Sequence, residues 1–147
     1  MTRLKTHLAT AATALCLYAS AAAAQEAPKL VTILTEAEPQ TQLMAMVLTL
    51  QAAKQGAAPH VLLCDAGGAL ALKDAPESAT AGQPPMDVSP QGLMQKIMTL
   101  PGAKVEVCAL YLPGLGQGPE ILLEGVGVAK PAAMAQAMMA ADARMSF

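Results

Sequence analysis

Leu30-Val31-Thr32-Ile33-Leu34, followed after a short link by Glu38-Pro39, is the stretch that decides the fold class. A nearly continuous apolar run, rather than an apolar–polar alternation, describes a strand buried on both faces. Pro39 then sits where a helix opens, because the first helical residue has no use for an N–H donor. Leu43, Met46, Val47 and Leu50 follow at i, i+3, i+4 and i+7, one face of that helix, and Gly56 ends it. A doubly buried strand running into an amphipathic helix is the opening of a parallel α/β sheet.

The same alternation continues toward the C-terminus. His60-Val61-Leu62-Leu63-Cys64 reads as a second buried strand, Asp65-Ala66-Gly67-Gly68 as the turn after it, and Ala69 to Lys73 as a short helix. Asp74 to Val88 is rich in Pro, Ala, Gly and Ser and is expected to form a long mobile loop or lid. Ser89-Pro90 restarts order as an N-cap and first helical residue, with Leu93, Met94, Ile97 and Met98 as the buried face. Lys104 to Leu112 is expected to be the third strand, broken by Pro113-Gly114-Leu115-Gly116. Ile121-Leu122-Leu123 begins a further apolar stretch, and Val126-Gly127-Val128 is expected to be a fourth strand. Pro131 opens the last helix, whose face is Met134, Met138 and Ala141, and Arg144 to Phe147 is a short final strand. These signals predict a three-layer α/β/α domain over residues 25–147, with a mainly parallel sheet of about five strands. Ligands gather at the carboxyl ends of such strands. That singles out the turn at Cys64 and the end of the strand carrying Cys108.

The N-terminus reads as an export signal. Arg3 and Lys5 supply a cationic start, Leu8 to Ala19 an apolar stretch, and Ser20-Ala21-Ala22-Ala23-Ala24 the small side chains of a cleavage site. The apolar stretch is shorter than the roughly 20 residues that span a bilayer. Cleavage after Ala24 is expected, which removes Cys16 with the signal and delivers a periplasmic protein with no membrane segment.

Composition excludes several functions. Only His60 remains after residue 24, so multi-histidine zinc sites within one chain are excluded, and no serine stands in a nucleophile-elbow context. Cys64 and Cys108 are not at CxxC spacing. There is no basic run, and the only aromatics after residue 24 are Tyr111 and Phe147, which argues against nucleic-acid binding. Methionines are abundant, and thioethers bind Cu(I). Most of them stand at helix-face spacing, though, where methionine fills a core short of large aromatics. No metal site and no cofactor are expected. Glu36 and Glu38 follow the first strand and are read as serving the helix dipole rather than catalysis.

Several pieces, in order, resemble the DsrE/DsrF/TusD-like sulfur-carrier proteins. They are the strand Leu30 to Thr35, the helix through Leu50, and Ala71-Leu72-Lys73-Asp74-Ala75-Pro76 after the second strand. They also include Val105-Glu106-Val107-Cys108 followed by a small residue, and the ending Ala140-Ala141-Asp142-Ala143-Arg144-Met145-Ser146-Phe147. The resemblance implies a DsrE-like fold, assembly into trimers or hexamers, and a sulfur donor or acceptor protein as partner. It also implies a persulfide-carrying cysteine in the place of Cys108, which makes Cys108 the candidate catalytic residue.

A sulfur carrier needs a thiolate with local positive potential. The turn through Gly114 and Gly116, leading to a short helix at about Pro119, is read as a source of backbone N–H groups for Cys108. The plain alternative is that Cys108 is a small buried core residue. Cys64 has three readings: a core residue, a disulfide partner of Cys108, or a resolving thiol. With strands two and three expected on either side of strand one, their backbones would lie about 9–10 Å apart. A disulfide needs Cα atoms within about 7 Å, so that order disfavours the bond.

Overall fold

The computed structural model describes residues 26–147; the expected signal, residues 1–24, lies outside them. Strand β1 (Lys29–Leu34) is followed by helix α1 (Pro39–Lys54) and strand β2 (Ala58–Leu63). A 3-10 helix (Asp65–Ala71) and helices α2 (Glu77–Thr80) and α3 (Pro90–Met98) lead to β3 (Lys104–Cys108). Helix α4 (Tyr111–Leu115) and a single 3-10 turn (Pro119–Ile121) precede β4 (Gly127–Ala129), α5 (Pro131–Ala140) and β5 (Ala143–Ser146). The five strands form one sheet in the order β4-β3-β2-β1-β5, and every neighbouring pair is parallel.

The helix starts follow local chemistry. Glu38 caps α1 by accepting the Thr41 N–H at 2.7 Å, with Pro39 just inside. Ser89 Oγ accepts the Gly92 N–H at 3.1 Å and caps α3, again with a proline next. Both prolines stand where a missing donor is harmless. At the far end of α1, Gly56 takes φ +97, a conformation glycine adopts without a Cβ clash.

Strand order decides which face each helix covers. The connections β1→β2→β3→β4 all step the same way across the sheet, so right-handed crossovers place them on one face. There α1 and α3 bury Leu43, Met46, Leu50, Leu93, Met94 and Ile97 against Val61, Leu63, Val105 and Val107. Thr32 and Thr49, both fully buried, complete that interface with a 2.8 Å hydroxyl–hydroxyl hydrogen bond. The last connection runs back from one edge strand to the other, which sends α5 to the opposite face. Met134, Ala137 and Met138 pack there on Val31, Leu62, Ala129 and Ala141. Arg144 closes α5 by donating to the carbonyl oxygens of Met138 and Met139.

The predicted three-layer α/β/α class holds, with the sheet wholly parallel. Four local expectations change. Cys108 ends the third strand, and the residues expected to extend it, Tyr111 and Leu112, open α4. Pro113 falls in the first turn of that helix, where it breaks no hydrogen bond. The 3-10 helix begins at Asp65, directly after the strand and its single linking residue Cys64, rather than at Ala69. Asp74 to Val88 is not a structureless lid: it contains α2, whose Ala79 is fully buried, and a Gln83–Val88 bridge. Most consequentially, β2 and β3 are direct neighbours, not separated by β1.

Candidate functional site

The register of β2 on β3 pairs His60 with Lys104 and Leu63 with Val107, so the next pair in line is Cys64 and Cys108. Their Cα atoms are 5.0 Å apart, close to the spacing of adjacent strands, and their sulfurs are joined in a disulfide. The expected separation of about 9–10 Å is overturned because it assumed β1 lay between them. Both cysteines share the side-chain parity of Leu62 and Glu106, which directs them to the α5 face. The backbone on each side is tied into the sheet: Cys64 N donates to Leu34 O at 2.9 Å, and Ala109 N donates to Ala129 O at 3.0 Å.

The disulfide forms part of the wall of a pocket of about 930 Å³ at the carboxyl edge of the sheet. The connection after β3 leaves toward the α1/α3 face and the one after β4 toward the α5 face. Adjacent strands whose connections diverge open a crevice between them, the usual ligand position in such sheets. The lining matches that origin. Ala109, Leu110, Tyr111, Gly114 and Leu115 come from the segment after β3, and Pro131 and Met134 from the segment after β4. Ala37, Asp65, Ala66 and Ala69 complete it from the other strand ends. Among the described residues, Asp65 is the one charged side chain in this lining. It adopts φ +48, a left-handed conformation that Asp and Asn tolerate better than most residues.

Two glycines keep this region closely packed. A Cβ on Gly67 would strike the carbonyl oxygen of Leu34, and one on Gly68 would stand 2.5 Å from the Tyr111 ring. The two glycines of the Asp65–Gly68 turn are therefore explained by close packing. Burial pushes the Tyr111 phenol above its ordinary pKa, so it stays a neutral hydroxyl beside the pocket at neutral pH.

Of the residues singled out in the sequence, Cys64, Cys108 and Gly114 come together in this pocket. Gly116 does not line it; with φ +66 it terminates α4. The 3-10 turn at Pro119 also lies outside the lining: it packs on Lys73, whose Nζ donates to Glu120 O at 2.6 Å. Backbone donors from that turn therefore do not serve Cys108. Asp65 lies in the turn at Cys64 that the strand-end rule singles out, whereas sequence reasoning missed Tyr111 and Met134 as lining residues, although the closeness of Tyr111 to Cys108 in sequence was a usable signal. His60 lies toward the start of the β2–β3 pair and shares Glu106 with Lys104, at 2.7 Å and 2.9 Å to the same carboxylate oxygen. Cys108 is 8 % exposed, whereas Cys64 is more open.

The wholly parallel five-stranded sheet with helices on both faces is a DsrE-like α/β/α fold, and its disulfide stands at the carboxyl edge of that sheet. No protein-family model matches the chain, and a search of curated proteins finds no match. Solved structures do match. The YchN protein of E. coli superimposes with a TM-score of 0.66 at 17 % identity, covering 82 % of this chain and 99 % of that one. MTH1491 of Methanobacterium thermoautotrophicum, described as a protein of unknown function, gives a TM-score of 0.59 at 18 % identity with the same coverage. At these identities the likeness establishes the fold alone.

Proposed function

We propose that this is an exported, periplasmic protein that takes up sulfane sulfur as a persulfide on Cys108 when its disulfide is open. The observation that carries the reading is the Cys64–Cys108 pair in the wall of the strand-end pocket. The uptake step is a displacement. The Cys108 thiolate attacks the outer sulfur of a donor persulfide, the donor's S–S bond breaks, and the donor leaves as a thiolate. The pocket gives that outer sulfur and the donor's organic part a place beside Cys108. A homo-oligomer is the working form in this reading. Helix α5 carries no charged residue, and Met139 and Leu110 are 84 % and 80 % exposed, an apolar surface suited to a second copy.

One observation favours a second reading. Cys108 is nearly buried, as a structural disulfide half would be, and the pocket would then bind an apolar ligand without covalent chemistry. A Cys64→Ser variant separates the two, because its Cys108 cannot be captured in the disulfide. Treated with an alkyl hydropersulfide and freed of excess reagent, it gains about 32 Da, one sulfur atom, and Cys64→Ser/Cys108→Ala gains nothing. No gain on Cys64→Ser, or an equal gain on both proteins, would sink the proposal.

A further inference from the structure

We infer that Cys64 is the resolving residue of a two-cysteine cycle in which sulfur carried on Cys108 is released as hydrosulfide. The inference rests on the uptake reading above and deepens it. Two features of the sheet lead to it. Cys64 and Cys108 are register partners on adjacent strands, with Cα atoms 5.0 Å apart. The parallel β2–β3 ladder, paired from His60 and Lys104 to Leu63 and Val107, runs up to the two cysteines and holds that spacing whether or not the sulfurs are bonded. A Cys108 persulfide therefore forms with a second thiol already within bonding reach of its inner sulfur. No hinge or loop has to move.

The step balances. The Cys64 thiolate attacks the Cys108 sulfur, the bond between that sulfur and the outer sulfur breaks, and the outer sulfur leaves with the electron pair as HS⁻. The products are one hydrosulfide and the disulfide seen in the structure. The sulfane sulfur is reduced by two electrons and the cysteine pair is oxidised by two. Resetting the cycle requires a dithiol reductant, such as a dithiol protein acting on the more exposed Cys64 sulfur. A thiol with this neighbour is a poor long-term store for sulfur and a good device for converting it to hydrosulfide.

The test uses the full mature protein, reduced, desalted and kept free of oxygen, with an alkyl hydropersulfide as donor. Wild type is expected to release about one hydrosulfide per chain and to end about 2 Da below its reduced mass. Cys64→Ser should hold an adduct of about 32 Da and release hydrosulfide only when a dithiol is added. A wild type that keeps the 32-Da adduct, releasing no more hydrosulfide than Cys64→Ser, overturns the inference while leaving uptake standing. An alkylthio adduct on Cys64→Ser, in place of a single sulfur, also overturns it, since the hydrosulfide would then come from the donor directly. Failure of Cys64→Ser to take up sulfur at all brings down the uptake reading and this inference together. Wild-type mass shows whether the disulfide forms, and the mass of the Cys64→Ser adduct shows whether it forms through a persulfide.

Discussion

Gly68 and Tyr111 meet face to face: a Cβ at position 68 would stand 2.5 Å from the Tyr111 ring. The ring thus fits only over a residue with no side chain, and it forms one side of the pocket that holds the disulfide. Gly68→Ala is expected to cost about 1–3 kcal/mol in stability by overpacking. Chemical denaturation of the two proteins measures this. An unchanged midpoint would show that the ring moves freely.

The disulfide closes a loop with a sequence separation of 44 residues across two neighbouring strands. Reducing it should remove about 2–4 kcal/mol of stability, mostly by releasing the unfolded chain. Urea titrations with and without reductant give the difference directly. Cys64→Ser/Cys108→Ala should lie near the reduced wild type, and a double variant as stable as the oxidised protein would contradict this account.

Glu38 gives α1 a pH-dependent start. The backbone N–H groups of Gln40 and Thr41 hold its carboxyl below the usual carboxylate range. A folded-state pKa below the unfolded one means the contribution is complete above the unfolded pKa and is lost as pH falls through the folded one. The stability gap between wild type and Glu38→Gln should therefore be widest near neutrality and close on acidification below the ordinary glutamate range. Denaturation midpoints of both proteins across that range test the sign.

Thr32 and Thr49 satisfy one another in the dry interface between β1 and α1, and Thr49 Oγ1 also donates to Ala45 O at 2.7 Å. Thr49→Val leaves the Thr32 hydroxyl without that partner and is expected to cost about 1–3 kcal/mol. Thr32→Val/Thr49→Val removes both hydroxyls and should recover much of the loss. A double variant whose loss is the sum of the single ones would show that the two hydroxyls act independently.

Asp65 makes the pocket unwelcoming to anions, because among the described residues no cation lines it. If sulfur is taken up there, thiosulfate should load Cys64→Ser slowly. Adding Asp65→Asn should speed thiosulfate loading by roughly threefold while leaving a neutral alkyl hydropersulfide unaffected. Asparagine accepts the φ of +48 at this position, so the backbone should be kept. An equal change for both donors would assign the effect to shape rather than charge.

The elements that could be read from the sequence are those with local signals. Glu38-Pro39 and Ser89-Pro90 carry their own caps, Gly56 its own stop, and Leu30 to Leu34 its own burial pattern. The strand ending at Cys108 was visible, but its length was not. Tyr111 favours a strand by propensity, yet it opens α4 with its ring against Gly68 of the 3-10 helix. The segment after Asp74 looked structureless because Pro, Gly and Ser dominate it, yet burial of Ala79 fixes it against the core. The partnership of Cys64 with Cys108 could not be read, since it depends on which strands are neighbours. No residue near either cysteine encodes that; it follows from how the whole chain steps across the sheet.

Helix α5 joins the two outermost strands, β4 and β5, by passing over the face that no other helix among the described residues covers. It works as a strap buckled at one end by Arg144 and at the other by Pro131 and Met134 beside the pocket. Both margins of the sheet and the mouth of the pocket are thereby held by the same ten-residue piece. One continuous segment therefore borders the disulfide at its start and leads into the pairing of β5 with β1 at its end, so the pocket and the C-terminal margin of the sheet share a boundary.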